Sequence, residues 1–118
     1  MPPDPRDVSR LSDMLEASKA VQRFIDGRTR QDYGSDDALR SAVERKVEII
    51  GEAARAVSNT FADSHPEIEW RKIRATRHIL AHDYGKIDDD VMWRIATTHV
   101  SELIALLMPL IPRPAGLA

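Results

Sequence analysis

The chain has no cysteine among its 118 residues, which excludes disulfides, thiolate catalysis and Cys-ligated zinc. Such a composition fits a reducing cytoplasm, and that is the expected location. Its five glycines are scattered and make no phosphate-cradling loop, so a nucleotide-binding regulator has no support. Long apolar runs are also missing. The most apolar stretch, near Leu103 to Ile111, is too short to span a bilayer, and His99 and Glu102 precede it. The first residues, Met1 to Asp7, lack an apolar signal core, and residues 1–5 read as a disordered lead. No membrane partner is expected. No alternating apolar–polar run is bounded by turn residues, and neither an internal repeat nor a low-complexity tract is present.

What is present suits one domain over residues 1–118, with 112–118 as a tail. At 42% hydrophobic the chain builds a core, although a chain this short buries only roughly 65% of its unfolded surface. The formal net charge is −2, too acidic for a sequence-blind nucleic-acid binder. Its distribution matters more. Between Trp70 and Lys86, the cations Arg71, Lys72, Arg74, Arg77 and Lys86 face Asp83 alone, five positives minus one negative. A patch of +4 can hold a phosphodiester.

Helical spacing recurs throughout and predicts an all-α, antiparallel up-and-down four-helix bundle. The first helix runs from about Arg6 to Asp26 and stops at Gly27. A polar loop follows over residues 28–35. The second helix starts at Ser35 or Asp36 and carries Leu39, Val43, Val47, Ile50, Ala54 and Val57 on one stripe. Gly51, in its middle, marks either a close backbone approach or a tolerated defect. Residues 61–69 form a connector in which Pro66 can open a short turn. The third helix spans Trp70 to Tyr84, with Gly85 as its C′ residue. The fourth begins at Asp88, assisted by Asp89 and Asp90 near its positive end, and runs to Pro109.

The third helix holds the residues that packing alone explains least, Arg77-His78-Ile79-Leu80-Ala81-His82-Asp83-Tyr84. With Arg77 set at 0° and about 100° per residue, Trp70, Ile73, Leu80, Ala81 and Tyr84 lie within about 60° of it. Arg74, His78, Arg71 and His82 fall at roughly 60°, 100°, 120° and 140°, a contiguous basic face. Arg77 therefore leans toward the packed side and needs a partner there, because an unpaired buried charge is costly. Glu52 or Glu48 on the second helix is the candidate; a phosphate-facing guanidinium in a groove is the alternative. Arg77 and His82 stand about 140° apart, so one pocket needs the long Arg stem, an unwound last turn or a second subunit. An unperturbed imidazole titrates near pH 6.5 and serves as acid or base.

His78 and His82 also have the i, i+4 spacing of metal ligands. No third ligand accompanies them, and the surrounding arginines repel a cation, so neither metal nor cofactor is expected. Tyr84 falls at the helix end on the apolar-leaning face, where a packed ring leaves its hydroxyl near solvent.

These residues resemble the HEPN superfamily, specifically the HepT-like ribonuclease toxins. Their signature of Arg, four residues, His, one residue, Tyr reads here as Arg77, His82 and Tyr84. The likeness extends to Ala42-Val43-Glu44-Arg45, Ile49-Ile50-Gly51-Glu52-Ala53, Trp70-Arg71-Lys72-Ile73 and the stretch from Ile87 to Trp93. Many members carry Asn directly after the motif Arg, where this chain has His78. The resemblance implies the HEPN fold, a homodimer and metal-independent cleavage of RNA by Arg77 and His82. Arg71, Arg74, His78 and Asp83 would support RNA binding. It also implies a type VII-like toxin–antitoxin pair, in which a minimal nucleotidyltransferase of the MntA type transfers AMP to Tyr84. The rival from another class is a non-catalytic dimeric helical module that docks a nucleotidyltransferase, with Arg77 and His82 structural.

Overall fold

The computed structural model describes residues 3–82 and 87–112, with residues 77–82 described by their helical backbone alone. Every regular element among the described residues is helical. Helix α1 spans Pro5–Ile25, α2 Arg30–Ser35, α3 Asp37–Ala56, α4 Asn59–Ser64, α5 Trp70–His82, α6 Asp89–Arg94 and α7 Val100–Leu107. A π-helical segment, Ile95–His99, joins α6 to α7, and a 3-10 turn, Met108–Leu110, is the last regular element among the described residues.

The long helices form where the sequence repeats apolar residues at helical spacing. In α1, Leu11, Met14, Ser18 and Val21 are fully buried, and the Ser18 hydroxyl satisfies itself on the Met14 carbonyl one turn back. Helix α1 starts one residue earlier than Arg6, because Asp4 caps it by accepting from Arg6 N, and Pro5 suits a first-turn position. Gly27, at φ +71°, ends it as expected. In α3 the whole predicted stripe from Leu39 to Ala54 is buried, with Val57 directly after it. Asp36 caps that helix through Leu39 N, and Gly51 is buried on it.

Two short helices correct the predicted connectors. The segment expected to be a loop over residues 28–35 contains α2. Thr29 and Asp32 form a reciprocal capping box, each side chain bonding the other's backbone N–H, which stabilises even a six-residue helix. The connector over residues 61–69 overlaps α4, which Ser58 opens by accepting from Phe61 N. Asp7 in turn accepts from Ser58 N at 2.8 Å and Ser58 Oγ at 2.7 Å, tying the start of α1 to the start of α4.

The fourth run is continuous from Asp89 to Leu110, 22 residues long, within a residue of the predicted span from Asp88 to Pro109. By length and composition alone it could cross a membrane. Its Met92, Ala96, Val100, Leu103 and Leu107 are instead buried in the protein core. The Thr97 hydroxyl donates to the Trp93 carbonyl at 2.7 Å within the widened π stretch, a side-chain bond that competes with the helical ladder.

Helix α3 packs against both α1 and α5, and α7 packs against α1. The body measures 47 × 32 × 20 Å, so its thin direction holds about two helix diameters. Between α3, α5 and the fourth run the structure leaves a groove of about 590 Å³, floored by Val47, Ile50, Ile68, Ile73 and Leu103.

Candidate active site

Helix α5 carries the motif, and its first turn fixes where the motif lies. Trp70 is buried; its indole Nε1 donates to the His65 carbonyl at 2.9 Å, and Phe61 of α4 meets its ring edge-on with centroids 6.3 Å apart. Thus α4 braces the entry of α5. One turn on, Arg74 reaches back to α3. Its Nε donates to the Ala54 carbonyl at 2.8 Å and its Nη2 to the Val57 carbonyl at 3.1 Å, while the guanidinium sits 5.7 Å from the Trp70 ring centroid. These carbonyls lie at the C-terminus of α3, where the helix dipole favours a cation. Hydrogen bonds from a charged donor contribute about 1.5–3 kcal/mol each.

The basic face is therefore thinner than the helical wheel suggests. Arg71 is exposed, but Arg74 is half-buried with two of its nitrogens on α3. Lys72 stands on the groove side, 3.4 Å from Glu69. Arg77, His78 and His82 share α5, which is helical through His82. Convergence of Arg77 and His82 therefore cannot come from unwinding before that residue. Their side chains, and the whole of Asp83, Tyr84, Gly85 and Lys86, lie outside the described residues. Of the carboxylates expected to meet Arg77, Glu48 is 2.9 Å from Arg45 and Glu52 is 3.8 Å from it, all three on α3.

The segment after the motif is held from the other side. Asp88 caps α6, accepting from Asp90 N at 2.8 Å and Val91 N at 3.3 Å. Asp90 pairs with Arg30 of α2 at 2.7 Å. Behind this junction lies a cluster absent from the sequence reading. Tyr33 is fully buried, its ring centroid 5.6 Å from that of Trp93, and its hydroxyl has no hydrogen-bond partner among the described residues. Burial first, then the carboxylates of Glu44 and Asp89, pushes its phenol above the ordinary range. Glu44 is likewise raised, by burial and then by Asp89, with Arg40 opposing. The signal for Glu44 was its place in α3 beside the buried Val43; for Tyr33 it was the capping box that makes α2 a helix.

Chemically, the described part of the site is a scaffold that grips α5 and α6 at either end of the motif. No group of three His, Asp or Glu side chains among the described residues converges on one point. A cation-bearing helix with imidazoles one and two turns beyond Arg74 is equipped to bind a phosphodiester and move protons at it.

Comparison with known proteins bears on which chemistry that is. A family profile described as Ribonuclease HepT-like matches residues 14–110, which include the whole motif. A protein of Methanocaldococcus jannaschii named as a candidate RNase is 34% identical over 99 residues, spanning 83% of this chain and 91% of its own length. One from Thermococcus cleftensis, named a probable ribonuclease HepT, is 34% identical over 93 residues, 79% of this chain and 84% of its own. A further candidate RNase, from Caldanaerobacter subterraneus, is 27% identical over 93 residues, 79% and 83% of the two chains. No solved structure matches the chain.

Proposed function

The chain belongs to the HepT-like ribonuclease family, and we propose that it is a metal-independent endoribonuclease toxin acting in the cytoplasm as a homodimer. The observation that carries this reading is the Arg77, His82, Tyr84 pattern on and just beyond α5, inside the matched span. Its four long helical runs are the rods of an antiparallel up-and-down bundle of the HEPN type.

RNA brings its own nucleophile, the 2′-OH. His82 takes the 2′-OH proton as that oxygen attacks the adjacent phosphorus, a role in which a positioned base contributes about 10²–10⁴-fold. The P–O5′ bond breaks, and His78 or His82 of the partner subunit protonates the departing 5′ oxygen. A 2′,3′-cyclic phosphate and a 5′-hydroxyl result. Arg77 stabilises the charge that develops on the phosphoryl oxygens. Arg71, with Asp83 nearby in the chain, supports binding of the strand. The separation of about 140° between Arg77 and His82 on a helical α5 supports a site completed by a second subunit.

Control runs through Tyr84. A nucleotidyltransferase antitoxin of the MntA type transfers AMP from ATP to its hydroxyl, with pyrophosphate leaving, and the added bulk and negative charge oppose RNA. Tyr84→Phe then stays toxic when such an antitoxin is co-expressed.

Cleavage of RNA by the purified protein in EDTA tests the reading. Activity that survives chelation and disappears in His82→Ala and Arg77→Ala supports it. A His82→Ala protein that cuts as fast as wild type overturns it. A wild-type protein that cuts no RNA would favour the docking module.

A further inference from the structure

We propose that Arg74 is a positioning residue, which sets the rotation and axial register of the motif helix on α3 rather than contacting RNA. The inference rests on the ribonuclease reading for its kinetic consequence, but its structural half stands without it.

The guanidinium of Arg74 is planar and rigid. Nε and Nη2 lie on one edge of a rigid planar fork. Here that edge meets two carbonyls, Ala54 at 2.8 Å and Val57 at 3.1 Å. Two simultaneous bonds from one plane fix both the direction and the depth of the side chain, where one bond would let it swing. Trp70, one turn back on the same helix, has the guanidinium carbon over its ring, 5.7 Å from the centroid, and is itself pinned by the His65 carbonyl. The contact links the end of α3 to the first turns of α5, since Val57 follows directly on Ala56 and Trp70 opens the next long helix. Any rotation of α5 swings His78 and His82, one and two turns further along the same side, through the same angle. A lysine at this position keeps the charge but offers a compact ammonium on a flexible stem, without the fork. The edge that binds α3 is unavailable to a phosphate, so Arg74 contributes to turnover through geometry.

The test compares Arg74→Lys with Arg71→Ala, steady-state cleavage of a short RNA being followed at several salt concentrations. For Arg74→Lys the expected result is a kcat reduced by about 10²-fold, the size of effect a 1 Å misplacement produces. KM should stay within about twofold, because the strand's own contacts are untouched, and the salt slope should match wild type. Arg71→Ala should instead lose through KM, with a salt slope shallower by about 0.7, as expected for one lost phosphate contact on a single strand. Amide hydrogen exchange is read on the same samples. Residues 70–76 should exchange faster in Arg74→Lys while α1 stays as in wild type.

An Arg74→Lys protein that loses through KM with a shallower salt slope overturns the proposal, since Arg74 then binds RNA. Unchanged kcat overturns it too. If wild type cuts no RNA, the ribonuclease reading fails separately, and hydrogen exchange decides: unchanged protection over residues 70–76 refutes the positioning role. Should Arg74→Lys fail to fold, Trp70→Phe, which removes the indole donor and weakens the ring contact, is expected to show the same kcat loss in smaller measure. A Trp70→Phe protein with wild-type kcat and protection refutes the proposal as well.

Discussion

Tyr33 buries its entire ring against Trp93 while its hydroxyl finds no partner among the described residues. A buried, unpaired hydroxyl costs stability, whereas an apolar group of the same shape does not. Tyr33→Phe is therefore expected to stabilise the protein by about 1 kcal/mol, seen as a rise in Tm of about 4 °C; a lower Tm would mean that the hydroxyl has a water or protein partner. Glu44 nearby gives a second residue-level expectation, with a pH signature. Burial and Asp89 raise its folded pKa, while in the unfolded chain it ionises near pH 4.3. Between those values the folded state holds the extra proton, so this group's contribution to stability falls as pH rises through the window. Above the folded pKa the full penalty is in force. Glu44→Gln should raise Tm at pH 7, and the gain should disappear below about pH 4. Equal gains at both pH values would assign the effect to packing. Neither residue announces this in the sequence: Tyr33 lies in what reads as a polar loop, and the acidity of Glu44 depends on Asp89, 45 positions away in the chain.

The elements show where sequence reasoning succeeds and where it stops. Helices α1, α3 and α5 and the run from Asp89 each repeat their apolar residues over three turns or more, enough to define a buried stripe. Helices α2 and α4 are six residues long, under two turns, and their only sequence marks are caps. Those marks were legible, since Thr29 and Asp32 have capping-box spacing and Ser58 stands directly before Asn59, but periodicity alone passes over them. The π segment had no readable mark, because widening a helix depends on what it packs against. Arg74 shows the same limit for a single side chain: a helical wheel gives its angle on α5 but not that the end of α3 lies beneath it. The caps matter energetically through their connections. Asp7 accepts two hydrogen bonds from Ser58, whose hydroxyl also caps α4, and α4 braces Trp70. Asp7→Ala removes both hydrogen bonds from Ser58 to a charged acceptor and should cost about 1.5–3 kcal/mol. Hydrogen exchange should then accelerate first in α4. A loss confined to the start of α1 would show that the tether carries no strain to the motif helix.

At the scale of the whole molecule, the motif was legible as a pattern and the resemblance implied a homodimer, while how two copies would meet was not legible, because that depends on surfaces that only folding brings together. Helix α5 continues to His82, which leaves Arg77 and His82 about 140° apart on one rod. A homodimer that completes each site across its two copies, as proposed, makes a quantitative prediction. Arg77→Ala and His82→Ala homodimers should each be inactive. When the two are mixed in equal amounts and allowed to exchange subunits, about half of the dimers are mixed. In a mixed dimer one of the two sites takes Arg77 from the His82→Ala subunit and His82 from the Arg77→Ala subunit, while the other site lacks both. With His78 as the acid, the mixture should recover about one quarter of wild-type RNA cleavage, from half the dimers with half their sites intact. The recovery should appear with the time course of subunit exchange and disappear if the subunits are cross-linked before mixing. If each chain instead carried a complete site, every site in the mixture would lack one residue, and no amount of exchange would restore cleavage.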